Sequence, residues 1–320
     1  MAVERPGISR EAAGFLAALP PVEDLPDFPM PDDVEGWLGA RAVAEANAEP
    51  LEAIGRTRCP FETTECAAGP LPALTIRTAQ SQPDRIAIYL HGGAYTLHSA
   101  RSTALSGAQM AEAASATVVS IDYPLAPEQT AKMTVPAVAE AIAAIAAEAG
   151  RPIGLFGESA GAGLATAAVR LLASQDADCP AAVVLMSPWA DLTASGSSYV
   201  GMGGRDAVFE YERMLVRAAQ AYAGTLPLED PLVSPALATY SDGFPPVLIQ
   251  AGTDELMLSD AELLHAAFRR AGVSSKLMLF GDMFHAFQVF LRGVNAPEAV
   301  AAYKQAASFL DRRVWSRHGA

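Results

Sequence analysis

Residues 157–161 read Gly-Glu-Ser-Ala-Gly, set between the run Pro152-Ile153-Gly154-Leu155-Phe156 and an Ala-rich, helix-forming stretch. A serine on a sharp strand-to-helix turn must adopt a strained backbone, so the positions two before and two after it must be nearly free of side chain. Upstream, Ile86-Ala87-Ile88-Tyr89-Leu90 breaks in the same way into His91-Gly92-Gly93-Ala94-Tyr95. The pentapeptide alone constrains little. Between a buried strand and a helix, downstream of His-Gly-Gly, it dictates a chain reversal that presents one serine hydroxyl.

The 320-residue length allows one large α/β domain, or a core with a smaller appendage. Hydrophobic residues make up 51% and charged ones 18%, enough for a sizeable core and too apolar for disorder. A net charge of −14 repels phosphate backbones and argues against nucleic acid as a partner. Cys59, Cys66 and Cys179 form neither an even disulfide framework nor a metal-ligand spacing, although Cys59 and Cys66 could pair across a hairpin. No metal or cofactor is called for. The N-terminus lacks the apolar core of a signal peptide, and no stretch approaches the ~20 apolar residues of a membrane span. A soluble cytoplasmic protein is the expectation.

Short strands are expected near 72–78, 85–90, 117–122, 152–156, 181–187, 246–251 and 276–280, several of them continuous apolar runs suited to burial on both faces. Helical stretches near 102–115, 132–149, 160–174, 258–272 and 296–313 alternate with them. This alternation predicts right-handed crossovers and a mainly parallel sheet covered on both faces. Residues 1–50 read as helical segments around a Pro-rich stretch. The interval 191–229 breaks the alternation and reads as a cap inserted over the carboxyl edge of the sheet. The remainder, 51–190 and 230–320, forms the core.

In open α/β sheets reactive groups collect at the C-terminal ends of the strands. Ser159, Asp254 and His285 each follow one such strand, in that chain order. A serine hydroxyl needs an imidazole to accept its proton, and the imidazole needs a carboxylate to hold its tautomer. Backbone N–H groups of Gly93, Ala94 and Ala160 are the candidate oxyanion donors, with Gly92 letting the loop approach closely. Glu255, Asp260 and Asp282 compete with Asp254. Asp260 reads as a helix-start residue, and Asp282 sits on the same turn as His285. Glu158 reads as a carboxylate bonded to loop amides. Tyr95, His98, Met202, Phe209 and Met214 are candidates for the substrate wall. Activity is expected to fall below pH ~6–7 as the imidazole protonates.

The chain resembles the hormone-sensitive-lipase-like esterases of the α/β-hydrolase superfamily. The matching segments are His-Gly-Gly-Ala-Tyr at 91–95, Asp-Tyr-Pro-Leu-Ala-Pro-Glu at 122–128, Gly-Glu-Ser-Ala-Gly at 157–161, Ser-Pro-Trp at 187–189, Asp-Pro-Leu-Val-Ser-Pro at 230–235, Gly-Thr-Asp-Glu at 252–255 and His-Ala-Phe at 285–287. The resemblance implies an α/β-hydrolase fold with a cap built from N-terminal helices plus the 191–229 insertion. It also implies carboxylesterase activity on short- to medium-chain acyl esters, triad roles for Ser159, Asp254 and His285, and relatives that often dimerise. The third glycine of the family's oxyanion loop is Ala94 here, and the elbow ends in Ala162 where glycine is commoner. A lactone, being a cyclic ester, needs the same triad. A receptor built on this scaffold would lack the histidine, and His285 is present.

Overall fold

The computed structural model describes residues 7–201 and 206–316. In chain order the elements are α1 (Arg10–Ala18), α2 (Val34–Arg58), β1 (Glu62–Ala68), β2 (Leu71–Arg77), β3 (Gln82–Leu90), α3 (Ala104–Ala114), β4 (Ala116–Ile121), α4 (Ala131–Ala149), β5 (Gly154–Glu158), α5 (Ala160–Ser174), β6 (Ala182–Met186), α6 (Ser197–Gly201), α7 (Val216–Ala223), β7 (Val247–Gly252), α8 (Leu258–Arg270), β8 (Ser275–Phe280), α9 (Phe287–Arg292) and α10 (Pro297–Leu310).

The eight strands form one sheet in the order β1-β2-β4-β3-β5-β6-β7-β8. The β1–β2 and β2–β4 pairs are antiparallel, and every pair from β4 through β3 to β8 is parallel. Every residue of β5, β6 and β7 is buried, as their largely apolar composition anticipates, with Glu158 and Gln250 the polar exceptions.

Alternate side chains enter two different cores. Ile88, Leu90, Leu155, Val183, Leu185, Val247 and Ile249 join a cluster with residues of α4, α5, α7 and α8. Ala87, Tyr89, Phe156, Val184, Met186 and Leu248 meet α3 and α10 on the opposite face. Each fully buried Val, Leu or Ile contributes roughly 1.5–3 kcal/mol, so the central strands anchor the fold.

Three elements were not anticipated: β1, the five-residue α6 and α9. β1, Glu-Thr-Thr-Glu-Cys-Ala-Ala, is an edge strand with only Ala68 buried, so it carries no apolar alternation to read. α9 begins two residues after His285, and a six-residue helix holds too few turns for a period to emerge. Helix α10 ends at Leu310 and passes into a π-turn over Asp311–Trp315. Cys59, Cys66 and Cys179 are free thiols, so the hairpin pairing of Cys59 with Cys66 is not made.

The N-terminal segment packs over the carboxyl end of the sheet. Arg41 of α2 forms a bidentate pair with Glu128, at 2.6 and 2.7 Å, and donates to the carbonyls of Thr96 and Ala126. Trp37 is fully buried, and its indole N–H donates to the Met30 carbonyl at 3.0 Å. Arg213, in the π-turn that precedes α7, reaches the carbonyls of Val22 and Leu25 and the carboxylate of Asp27. Residues 22–28 are thereby tied to the segment after residue 206. Helix α2 runs unbroken through residue 50, the expected end of the N-terminal segment, with Pro50 inside it. Among the described residues no helix is long and apolar enough to cross a membrane.

Candidate active site

Strand β5 ends at Glu158 and α5 begins at Ala160, leaving Ser159 at the apex with φ 52° and ψ −123°. A non-glycine residue pays for that conformation, and the neighbouring glycines make the turn sterically feasible. A Cβ at Gly157 would lie 2.6 Å from the Gly161 carbonyl oxygen, and one at Gly161 would lie 2.1 Å from that of Leu90. The apex is held from beyond the turn as well. The Ser159 amide donates to the Met186 carbonyl at 2.9 Å, and the Ser159 carbonyl accepts from Trp189 at 3.0 Å.

The Ser159 hydroxyl lies 2.8 Å from Nε2 of His285, 126 positions away in the chain. His285 is completely buried, and burial pushes its pKa down to about 3. At neutral pH the ring is therefore uncharged, and in the tautomer protonated at Nδ1 its Nε2 is free to accept from the serine hydroxyl. Nδ1 makes no hydrogen bond among the described residues.

The loops after β7 and β8 are laced together. The Thr253 amide donates to the Phe280 carbonyl, the Asp254 amide to that of Met283, and the Asp282 amide to Thr253 Oγ1. Gly252 permits this, since a Cβ there would lie 2.1 Å from the Met283 carbonyl oxygen. Asp254 is 3% exposed, on the loop bonded two residues before His285. Asp282, half-buried, turns a carboxylate oxygen to the Gly7 amide at 3.2 Å. Glu255 accepts from the Ser187 hydroxyl at 2.8 Å and from the Gly252 amide at 3.2 Å, tying the ends of β6 and β7. Asp260 does more than open a helix. It accepts the Ala190 and Asp191 amides, both at 2.8 Å, and holds the loop after β6.

On the opposite side of Ser159 lies the His-Gly-Gly loop. Gly93 has φ 116°, and a Cβ there would collide with the Leu97 carbonyl at 2.3 Å, so this position requires glycine. Ala94 follows in the left-handed region at φ 54°. Among the described residues no acceptor pairs with the amides of Gly93, Ala94 or Ala160. The Gly92 amide is different: it donates to Glu158 Oε1 at 3.1 Å. Gly92 thus serves as the close-approach residue rather than a donor, its Cβ position lying 3.3 Å from that of Ser159. His91 stacks on Tyr123 with ring centroids 4.2 Å apart, and the Tyr123 hydroxyl donates to the His91 carbonyl at 2.6 Å.

Of the residues expected to line a substrate wall, Phe209 stands against the imidazole of His285, and Met214 is buried in the π-turn. His98, at φ 68°, sits beside the His-Gly-Gly loop, its Cδ2 3.0 Å from the Cβ position of Gly93. Met202 lies outside the described residues. Tyr95 faces the core rather than a substrate wall: it is 1% exposed, stacks on Tyr222 at 3.8 Å and donates its hydroxyl to the Trp189 carbonyl. Its positive φ of 62° accompanies a ring lodged in the core, so it braces the loop from beneath. Sequence reasoning missed Tyr89, whose hydroxyl donates to Glu158 at 2.6 Å. In the sequence it reads as one more core residue of β3.

Residues 87–289 match the α/β-hydrolase fold family. An acetyl-hydrolase of Streptomyces hygroscopicus is 36% identical over 85% of this chain and 91% of its own length. An esterase of Acinetobacter venetianus is 31% identical over 72% and 76% respectively. A crystal structure of an esterase from the bacterial hormone-sensitive lipase family superposes with TM-score 0.83 at 30% identity, covering 98% of this chain and 99% of that one. The chain belongs to the α/β-hydrolase fold family, in its hormone-sensitive-lipase-like branch, and is an esterase.

Proposed function

We propose that the protein is a serine carboxylesterase acting on short- to medium-chain acyl esters, with Ser159 as nucleophile, His285 as general base and Asp254 as the acid behind it. The observation that carries this reading is the 2.8 Å contact between Ser159 Oγ and His285 Nε2 at a strained strand-to-helix turn.

In the proposed reaction Ser159 Oγ attacks the acyl carbon while its proton passes to His285 Nε2. The carbonyl electron pair moves onto oxygen, where the amides of Gly93, Ala94 and Ala160 stabilise it. Ala160 adds the favourable dipole of the α5 N-terminus. Collapse breaks the C–O bond, and the departing alkoxide takes the proton from Nε2. Water then repeats the sequence on the acyl-enzyme and releases the acid.

Asp254 is the favoured acid because its backbone is bonded to the loop that carries His285, whereas Asp282 turns toward Gly7. Catalytic hydrogen bonds are often long in a free enzyme and tighten once substrate is bound. The N-terminal helices and residues 191–229 act as a cap, joined through Arg213 and Asp27. The tight enclosure of Ser159, 7% exposed, and the acetyl-hydrolase name of the Streptomyces relative both favour a short acyl group.

Ser159→Ala should abolish hydrolysis of p-nitrophenyl acetate and butyrate, a loss on the order of 10⁴-fold or more, with circular dichroism unchanged. Retained turnover would refute the assignment. A lactone panel run beside the esters tests the cyclic-ester reading, which faster lactone turnover would favour.

A further inference from the structure

We infer that Glu158 is a positioning residue for the oxyanion loop: its carboxylate ties Gly92 to the nucleophile elbow through an oxygen shared with Tyr89. The inference rests on the reading that the Gly93, Ala94 and Ala160 amides receive the oxyanion.

The β3–β5 ladder ends at the pair Leu90↔Gly157. Beyond it the two strands diverge into the two halves of the site, and no ladder bond remains to fix the distance between them. Glu158 supplies that missing bond. It is covalently next to Ser159, and its Oε1 accepts the amide of Gly92, the residue next to Gly93, at 3.1 Å. The same oxygen accepts the Tyr89 hydroxyl at 2.6 Å, and the Tyr89 ring stacks on Phe156 with centroids 4.7 Å apart. The carboxylate is therefore aimed by a rigid aromatic pair within the core.

Other bonds act on the loop from different directions. Tyr123 holds the His91 carbonyl, and Thr96 and Leu97 donate back to the Gly93 carbonyl. They brace the loop internally and against the end of β4. The Glu158 bond runs from the loop to the elbow itself. Gly92 makes it sterically possible, because its Cβ position is only 3.2 Å from Glu158 Cγ.

Glu158 is 4% exposed, and Oε2 has no hydrogen-bond partner among the described residues. Burying a carboxyl group with one oxygen unsatisfied costs stability. A side chain retained for packing alone could have been apolar. What the carboxyl supplies is an acceptor at one point, where oxyanion donors must be held to a fraction of an ångström.

The test compares Glu158→Gln, which keeps an acceptor oxygen, with Glu158→Met, which fills similar volume without one. Steady-state kinetics on p-nitrophenyl butyrate and inhibition by a trifluoromethyl ketone transition-state analogue are measured for each. Glu158→Met is expected to lower kcat by ~30- to 300-fold with KM within about threefold, and to weaken the ketone by a similar factor. Glu158→Gln should stay within about fivefold of the parent in both. Glu158→Ala is the second acceptor-free variant, should the methionine pack badly and unfold the chain. Unchanged kcat and ketone binding in a folded acceptor-free variant overturn the inference. So does a Glu158→Gln enzyme as impaired as Glu158→Met, or a loss confined to KM. Turnover surviving in Ser159→Ala would instead overturn the underlying reading of the site, so the two failures are distinguishable.

Discussion

The ring of Phe209 stands edge-on to the imidazole of His285, with centroids 5.4 Å apart and planes at 69°. Phe209 precedes the π-turn that holds Arg213, so this segment contributes directly to the burial of His285. Removing the ring should open space beside Ser159. Phe209→Ala is expected to raise kcat/KM for p-nitrophenyl octanoate relative to the acetate by roughly tenfold, the worth of about one or two methylenes in an apolar pocket. The ratio measured across an acyl-length series checks this, and an unaltered ratio would place the acyl wall elsewhere.

The choice between two aspartates is open to direct comparison. Asp254→Asn should cost on the order of 10³- to 10⁴-fold in kcat, because an amide cannot offset the imidazolium or hold the required tautomer. Asp282→Asn should stay within about threefold, since its carboxylate faces Gly7. Reversal of these two outcomes in purified variants would transfer the acid role to Asp282.

Burial lowers the His285 pKa from 6.5 to about 3, which shifts the acid limb from where an ordinary histidine would put it. If His285 is the base as proposed, desolvation keeps it neutral below pH 6.5, so kcat/KM should hold its plateau through pH 6 and fall only at lower pH. The same shift affects folding. The folded pKa is depressed, so this contribution is intact above the unfolded value of 6.5 and is lost as pH falls toward 3. A pH–rate profile with its midpoint at or above 6.5 would contradict the buried neutral ring. Urea midpoints measured at pH 4 and 7 test the stability side.

Glu158 works in the opposite sense. Burial raises its pKa from 4.5 to about 7, against the lowering effect of the Tyr89 and Gly92 hydrogen bonds. With the folded pKa raised, its contribution is complete below pH 4.5 and declines as pH climbs through 7. The loss is on the order of 3 kcal/mol at most. Glu158→Gln cannot ionise, so it should gain stability relative to the parent between pH 5 and 8. The His285 contribution cancels in that difference, which denaturant unfolding of both proteins would measure.

The local constraints of this site were legible because they are written in contiguous residues. The strain at Ser159 demands side-chain-free neighbours at 157 and 161, and that demand is visible in any string that meets it. The buried strands β5, β6 and β7 were equally plain, since short runs that are apolar at nearly every position have few other places to go. Edge strand β1 was not, because a strand wet on both faces has no hydrophobic period. Tyr95 is ambiguous in sequence for a related reason: an aromatic beside the His-Gly-Gly loop suits a pocket as well as a core, and its burial and stacking on Tyr222 place it in the core.

What the sequence by itself determined is the set of chemical parts: one strained serine, histidine and aspartate in a fixed chain order, and a parallel sheet to carry them. Tertiary structure alone decided which parts meet. The Ser159–His285 contact closes over 126 positions, and the Glu158 carboxyl finds Tyr89 and Gly92 from 69 and 66 positions away. Periodicity and steric strain act between near neighbours in the chain, whereas a hydrogen bond between separate strand ends depends on how the whole sheet stacks and twists. Only the folded sheet specifies that geometry.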